Sequence, residues 1–330
     1  RSVLAQTSQP REIIVVDDGS TDGSAARVEE IGSPLIRLIR QENRGVSAAR
    51  NRAMQEACGE YAALLDGDDT WEPGYLAEIE RLIAAYPGCG AYATSFNVDD
   101  GHHLTPGDTP QTEGVVDFFT EALSHYVLIP SSTTLRRKPV LSLGGFPEGM
   151  RMGEDQYLWT KLARTSPVCF SPARLVRYSK AASNRSAAIY RPEQTRFSFE
   201  DLYEPAARDS SNEYVARAAL GKALVISAKG GTKEAARAAR FFAQPPPPRG
   251  AFRHTALGPP RSTASDARPP AAAGRPVARA APGPFAPWRT GPAPRRPVRF
   301  HMPDTRSPRP PTLARPRRAS RTTPRPRGPR

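Results

Sequence analysis

Acidic side chains end two predicted strands, and they could bind a metal ion or a polar ligand. Asp17 and Asp18 close one apolar run, and Asp66 and Asp68 follow the next. Open α/β sheets bind ligands at the carboxyl ends of their strands. Carboxylates two residues apart can converge there, and hard oxygen ligands suit Mg²⁺ or Mn²⁺ shared with a diphosphate. The alternatives are that Asp66–Asp69 solvates a turn and caps the next helix, and that Asp18 caps a turn through Ser20.

A third acidic pair, Glu154-Asp155, stands at the start of a predicted helix. Leu158, Trp159 and Leu162 form the apolar stripe of that helix, which we predict over 154–165. A carboxylate here could act as a general base. The alternative is that both acids only stabilise the helix N-terminus through its dipole.

Strands that alternate with helices must position these acids. Apolar β-branched or aliphatic runs predict strands, and apolar residues at helical spacing predict the helices between them. The predicted order is strand 12–18, helix 25–31, strand 35–39, helix 46–57, strand 61–65, a helix from Pro73 and strand 89–98. This alternation predicts an α/β fold, with a mostly parallel sheet covered by helices on both faces.

The composition divides the 330 residues into two parts. Residues 245–330 carry 23 of the 36 prolines, 19 arginines, no lysine and two acids, which gives +17 of charge. Residues 1–244 carry −3 and have the composition of an ordinary globular chain. We therefore predict a catalytic domain over 1–205, a helical extension over 206–244 and a disordered basic tail over 245–330.

The tail leaves two interpretations open. It could dock electrostatically on nucleic acid or an anionic surface, and the chain would then be a non-catalytic binding protein. Such binding should weaken steeply with salt. The abrupt change of composition at Gln244 also fits translation of a GC-rich reading frame after a frameshift. Nucleic acid is not expected to bind elsewhere on the chain.

Cysteine use indicates a reducing compartment, and hydropathy bears on whether the chain could span a membrane. Cys58, Cys89 and Cys169 are too few and too far apart for a disulfide framework. No apolar run is long enough to span a membrane. A cytoplasmic location is the prediction, and peripheral association with the inner face of a membrane stays open.

The order of the motifs carries a family resemblance. Residues 13–24 read IIVVDDGSTDGS, residues 41–51 read QENRGVSAARN and residues 59–73 read GEYAALLDGDDTWEP. Further matches are GGFPE from Gly144 and GEDQYLWTKLA from Gly153. This series resembles family 2 glycosyltransferases of the GT-A fold over roughly residues 1–190. The resemblance implies an inverting, metal-dependent transfer of a sugar from a nucleotide-sugar donor to an acceptor hydroxyl.

The resemblance also implies roles for individual residues. Asp17 accepts a hydrogen bond from the nucleotide base, which favours a UDP- or dTDP-sugar. Asp68 ligates Mg²⁺ or Mn²⁺, and Asp66 contacts the ribose or the metal. Arg44 and Arg50 lie beside the nucleotide, although for Arg50 a solvated charge at a helix start is an equal alternative. Asp155 deprotonates the acceptor, whose class (glycan, lipid or protein) the sequence does not fix.

One departure from the family pattern limits these expectations. Relatives begin with a strand of the type VSVIIPxYN, whereas this sequence starts at RSVLAQT, after that strand. We therefore expect the chain to be incomplete at its N-terminus and to lack a central strand of the sheet. Unpaired backbone groups and a lost apolar layer would then reduce stability, so we expect the chain as given to be inactive.

Overall fold

Two separate sheets contain the strands in the described part of the chain. The computed structural model describes residues 1–180, 193 and 195–242. The predicted tail over 245–330, with its disorder and its binding properties, lies outside the described residues. The strands are β1 (Ile13–Asp18), β2 (Ile36–Gln41), β3 (Tyr61–Ala63), β4 (Thr70–Trp71), β5 (Ala91–Asp99), β6 (Leu104–Pro106), β7 (Gly114–Val116), β8 (Thr133–Arg136) and β9 (Val168–Ser179).

Eight α-helices occur in the described residues. They are α1 (Ser24–Glu29), α2 (Val46–Glu56), α3 (Tyr75–Ala85), α4 (Phe118–Glu121), α5 (Arg137–Ser142), α6 (Glu154–Thr165), α7 (Ser211–Ala228) and α8 (Thr232–Phe242). The helices predicted over 46–57 and 154–165 are confirmed to within one residue. No helix in this part of the chain is both long and apolar enough to cross a bilayer.

The first sheet is a β-α-β unit. β1 and β2 pair in parallel, from Ile13 opposite Ile36 to Asp18 opposite Gln41. Within the described residues no strand pairs with the other edge of β1. The β1 residues are only half-buried, although a continuous apolar run is typical of a strand covered on both faces.

The second sheet contains seven strands, and its main path runs β3-β8-β5-β9-β4. Only the pair β5–β9 is parallel; β3–β8, β8–β5 and β9–β4 are antiparallel, and so are the pairs that add β6 and β7. The α/β class is confirmed, but the prediction of a mostly parallel sheet is wrong. The short strands that change the direction carry too few residues to show a period in the sequence.

The side chains of β5 alternate between two cores, one on each face of the second sheet. Helices cover both faces. Ala91 and Ala93 pack in a core with Leu158 and Trp159 of α6. Tyr92 and Phe96 point to the other core, which α3 covers. Successive side chains of a strand face opposite sides of its sheet. The result is a helix–sheet–helix layering that places the N-terminus of α6 near the end of β3.

The three cysteines form no disulfide. Cys58 is exposed, and Cys89 and Cys169 are buried free thiols. Burial raises the pKa of both buried thiols. They therefore behave as small apolar core residues rather than as reactive groups.

Candidate active site

Asp17 and Asp18, the first strand-end pair, accept hydrogen bonds from two different segments of the chain. Oδ1 of Asp17 accepts a hydrogen bond from the Ser20 N–H at 3.1 Å. The carboxylate of Asp18 accepts from the N–H groups of Arg44, at 3.0 Å, and Gly45, at 2.7 Å. The turn through Ser20 is therefore held by Asp17, and not by Asp18 as in the alternative given above. Asp18 instead fixes the loop that precedes α2.

The second acidic cluster contains one exposed and two less exposed carboxylates. Asp68 is exposed, Asp66 is half-buried, and Asp69 is buried. The Asp66 N–H donates to Oγ of buried Ser131, which fixes the start of this loop. Asp68 is thus exposed to solvent, whereas Asp66, two residues earlier, is more protected.

Asp69 is the buried acid of this cluster. Its Oδ1 accepts from the Ser179 N–H at 2.7 Å, which ties the acidic loop to the end of β9. Its Oδ2 has no hydrogen-bond partner among the described residues. Burial raises the pKa of the Asp69 carboxyl, and repulsion from Asp68 and Asp66 adds to the effect. The run of acids from Asp66 was a signal for this residue, but its burial was not readable from the sequence.

Arg50 joins the acidic loop to the N-terminus of α6. Its Nη2 lies 2.8 Å from Oδ1 of Asp66, and its Nη1 lies 3.0 Å from Oε1 of Glu154. The side chain is only 11% exposed, and the guanidinium lies over the Phe146 ring, 5.3 Å from the centroid. Arg50 is therefore not the solvated helix-start charge given as one alternative. In this structure its guanidinium binds two carboxylates of the site.

Asp155 lies next to this bridge, at the first turn of α6. Its Oδ1 accepts from the Gln156 N–H at 2.8 Å. Burial raises the pKa of Asp155 to about 6, and repulsion from Glu154 contributes, while Arg50 and the Gln156 N–H act in the opposite direction. A carboxylate with a pKa near neutrality is suited to general base catalysis. The helix dipole alone would lower the pKa of an acid at this position, so it does not account for the shift.

Arg44 pairs with a different carboxylate from those that Arg50 binds. Its side chain is mainly exposed, and Nη2 lies 2.9 Å from Oε2 of Glu148. Asn51 of α2 also donates to Glu148, through Nδ2 at 3.2 Å. Glu148 belongs to the GGFPE motif, and its contact with α2 was not predicted from the sequence. The bridge places Arg44 at the rim rather than within the Arg50 cluster.

Asn51 holds α2 against the loop before α6. Its amide donates to the Phe146 carbonyl at 2.9 Å, and its Oδ1 accepts from the Phe146 N–H at 2.7 Å. Gly145 precedes Phe146 with φ of 72°, and a Cβ there would lie 2.4 Å from the Asn51 Oδ1. The close approach of the two segments thus requires a glycine. This contact keeps Arg50 within reach of Glu154.

We expect Asn51→Ala to lower the free energy of unfolding by about 2–3 kcal/mol, because the buried N–H and C=O of Phe146 lose their partners. Urea unfolding measures the effect. Gln55→Ala, at an exposed position of the same helix, is the matched control and should change stability by less than about 0.5 kcal/mol. Equal effects of the two substitutions would contradict the role of Asn51.

Asp66 and Asp68 fit a metal site whose remaining ligands come from substrate phosphates. Among residues 1–180 and 195–242, no three His, Cys, Asp or Glu side chains are arranged to enclose a metal ion. Asp66 and Asp68 supply carboxylate oxygens at a solvent-accessible position. Proteins often bind Mg²⁺ through one or two carboxylates together with substrate phosphates. The pair therefore fits that class of site and not a cage made of protein ligands alone.

Asp17 is a predicted site residue that the structure does not bring into contact with the Arg50 cluster. The structure joins Asp66, Arg50, Glu154 and Asp155 in one cluster. Among the described residues, no hydrogen bond or ion pair connects Asp17 to that cluster. It lies on the separate β1–β2 sheet, at the same carboxyl end as the loop that Asp18 holds.

Comparison with known proteins supplies independent information. Residues 1–144 match the model of the family described as glycosyl transferase family 2. The chain is 32% identical over 174 residues to glycosyltransferase GlyA of Streptococcus pneumoniae, which covers 49% of this chain and 25% of that protein. It is 40% identical over 108 residues to the succinoglycan biosynthesis protein ExoO of Rhizobium meliloti, covering 31% and 30% of the two chains. The chain thus spans about a quarter to a third of these relatives.

A solved structure shares the fold. The chain resembles Staphylococcus aureus TarS 1–349, solved in complex with UDP-GlcNAc, with a TM-score of 0.50 and 21% identity. The similarity covers 73% of this chain and 65% of the TarS chain. The expected GT-A architecture is therefore confirmed at the level of the fold.

Proposed function

We propose that the protein transfers a sugar from a UDP- or dTDP-sugar to an acceptor hydroxyl, with inversion and with a divalent metal. The premise is that residues 1–144 match the glycosyl transferase family 2 model and that the chain is similar to glycosyltransferases. The observation that carries the proposal is the Arg50 bridge. Arg50 contacts Asp66, one of the proposed metal-binding acids, and also Glu154, the residue next to the proposed base Asp155.

Donor binding is assigned to the strand-end acids. Asp17 is proposed to accept a hydrogen bond from the base imide, because a charged acceptor forms a stronger bond than a neutral one. Asp68, with Asp66, is proposed to hold Mg²⁺ or Mn²⁺, which would neutralise charge on the departing diphosphate. Arg44, which pairs with Glu148, and Arg50, which pairs with Asp66 and Glu154, are the cations proposed to lie beside the nucleotide. TarS, which shares the fold, was solved with UDP-GlcNAc, and this supports a nucleotide-sugar donor.

The chemical step is assigned to Asp155. Single-displacement transfer with inversion needs one carboxylate in line behind the acceptor oxygen and no enzyme nucleophile. Its raised pKa allows Asp155 to take the acceptor proton at neutral pH while staying a good base. Glu154 is engaged by Arg50, so it is less available for this task. The acceptor is proposed only as a hydroxyl on a glycan, lipid or protein.

Calorimetric titration with UDP in the presence and absence of Mn²⁺ tests the donor site. We expect Mn²⁺ to strengthen UDP binding at least about tenfold, and Asp68→Ala to remove that gain, because a charged ligand contact is worth roughly 1.5–3 kcal/mol. Asp100→Ala changes an exposed aspartate beyond the end of β5 and is the matched control. UDP binding that ignores Mn²⁺ and is unchanged in Asp68→Ala would refute the metal assignment.

A further inference from the structure

The loop that leads into α6, and so to the proposed base, packs against the C-terminal part of the described chain. Met150 precedes this loop and Tyr157 follows the base, and both belong to a third apolar core. Phe199 and Val215 of α7 are members of the same core. This core is distinct from the two cores on the faces of the second sheet. The segment that carries Asp155 is therefore held at both of its ends by the same C-terminal core.

Gly153 allows this core to approach the loop closely. It is the N-cap of α6 and has φ of 78°, a left-handed conformation that favours glycine. A Cβ at this position would lie only 3.1 Å from the Phe199 ring. The ring therefore lies against the backbone two residues before Asp155.

An ion pair fixes the loop from α7. Oε1 of Glu193 accepts from the Arg151 N–H at 3.0 Å, and its Oε2 lies 2.8 Å from Nζ of Lys222. The side chains of Lys222 and Glu193 are only 11% and 17% exposed, so salt and water screen this pair less than a surface pair. Nζ of Lys222 also lies 5.9 Å from the centroid of the Phe199 ring. One carboxylate thus joins α7 to the backbone of the loop.

Three groups act electrostatically on Asp155, and one of them comes from α7. Glu154 is the neighbouring acid on α6, and Arg50 is the cation from α2. Tyr214 of α7 lies in the core that α6 shares with β5. Burial raises the pKa of the Tyr214 hydroxyl, and the negative charge of Asp155 adds to the effect. Helix α7 therefore contributes both to the support of the loop and to the surroundings of the base.

We propose that Glu193 and Lys222 are positioning residues for the transfer reaction, which fix the loop before α6 and so hold Asp155 behind the acceptor hydroxyl. The inference rests on the proposed function, because it concerns the same base. Neither residue is assigned a contact with substrate. Displacement of a reacting group by about 1 Å can cost about 10²-fold in rate, so support at this distance from the chemistry matters. The C-terminal helices are then part of the catalytic unit rather than a separate extension.

Lys222→Met in the full chain tests the role of the ion pair. We expect kcat to fall by about 10- to 100-fold, while KM for the donor and the Kd of UDP with Mn²⁺ stay within about twofold. Lys222→Arg keeps the positive charge and should retain most of the rate. Lys233→Met, at an exposed position of α8, is the matched control and should change none of these values.

NMR titration of the Asp155 carboxyl group is a second measurement, and it does not require turnover. The midpoint should lie near pH 6 in the unmodified protein and in Lys233→Met. It should be lower in Lys222→Met, because a loosened loop admits water and reduces the effect of burial, which raises the pKa of this carboxyl. A loss of stability without displacement of the base would leave the midpoint unchanged.

If Lys222→Met does not fold, Glu193→Gln gives the same comparison, since it removes the charge but keeps an acceptor for the Arg151 N–H. An unchanged kcat together with an unchanged Asp155 midpoint would overturn the inference. An equal loss of UDP binding would also overturn it, because the pair would then support the whole structure rather than the base. Where transfer is too slow to measure, the titration alone decides. Failure of the proposed function is recognised separately, because Asp155→Asn would then transfer sugar at the unmodified rate.

Discussion

Replacing Asp155 with asparagine is expected to lower the rate of sugar transfer by about 10²- to 10⁴-fold, the usual contribution of a general base. Asparagine keeps the shape of the side chain and its carbonyl oxygen can still accept from the Gln156 N–H. UDP binding and stability should therefore change little. The measurement is release of UDP or dTDP from a panel of UDP- and dTDP-sugars in the presence of acceptors.

The matched control is Asp117→Asn. Asp117 also caps a helix N-terminus, that of α4, but it lies outside the candidate active site. If Asp155 were only a helix-stabilising acid, the two substitutions would have similar small effects on stability and none on turnover. Transfer by Asp155→Asn at more than a tenth of the unmodified rate would contradict the assignment.

The pH dependence of transfer follows from the same residue. Burial raises the pKa of Asp155 to about 6. A base acts only when deprotonated, so kcat/KM should rise between pH 5 and pH 7, through about pH 6, and level off above. In Asp155→Asn the residual rate should lose that rise. A flat profile of the unmodified protein over this interval would point to a different base.

Arg50→Met should have the largest effect on stability. It leaves the carboxylates of Asp66 and Glu154 without their common cation, and breaking a buried ion pair costs about 3–5 kcal/mol. Because Asp66 is about one-third exposed, we expect the lower end, about 3 kcal/mol. Transfer should fall as well, since the acidic loop and α6 are no longer held together.

Two further variants identify the cause of that effect. Arg40→Met removes an exposed ion pair with Glu29 and should cost no more than about 1 kcal/mol. Arg50→Lys keeps one charge but cannot bind both carboxylates as a planar guanidinium does, so its stability should lie between those of Arg50→Met and the unmodified protein. Urea unfolding gives all three values. Similar losses for Arg50→Met and Arg40→Met would refute the bridging role.

The parts of the fold predicted from the sequence are those with a clear local period. α2 and α6 carry apolar residues at helical spacing over eleven or twelve residues, and their bounds were predicted closely. β6, β7 and β8 have three or four residues each, too few to show alternation. β6 forms a local hairpin with β5, whereas β7 and β8 pair in antiparallel with strands that are distant along the chain. The mixed character of the sheet was therefore not readable from local patterns.

The same distinction between local patterns and contacts of distant segments applies to the candidate site. Acids at strand ends and at a helix start could be predicted because both positions are local features of the sequence. The bridge of Arg50 to Asp66 and Glu154 spans separations of 16 and 104 residues. Such a contact depends on how α2 packs against the loop before α6. Burial of Asp69 and engagement of Glu148 likewise appear only when distant segments come together.

The separation of β1–β2 from the larger sheet has a consequence for local unfolding. Among the described residues, no backbone ladder joins the two sheets, and the β1 side chains are only half-buried. Units with few buried contacts open at a lower free energy than the rest of a domain and exchange their amide hydrogens faster. Asp17 lies in this unit, so part of the free energy of holding a nucleotide base would be used to close it. Base recognition and the protection of the β1 amides would then rise and fall together.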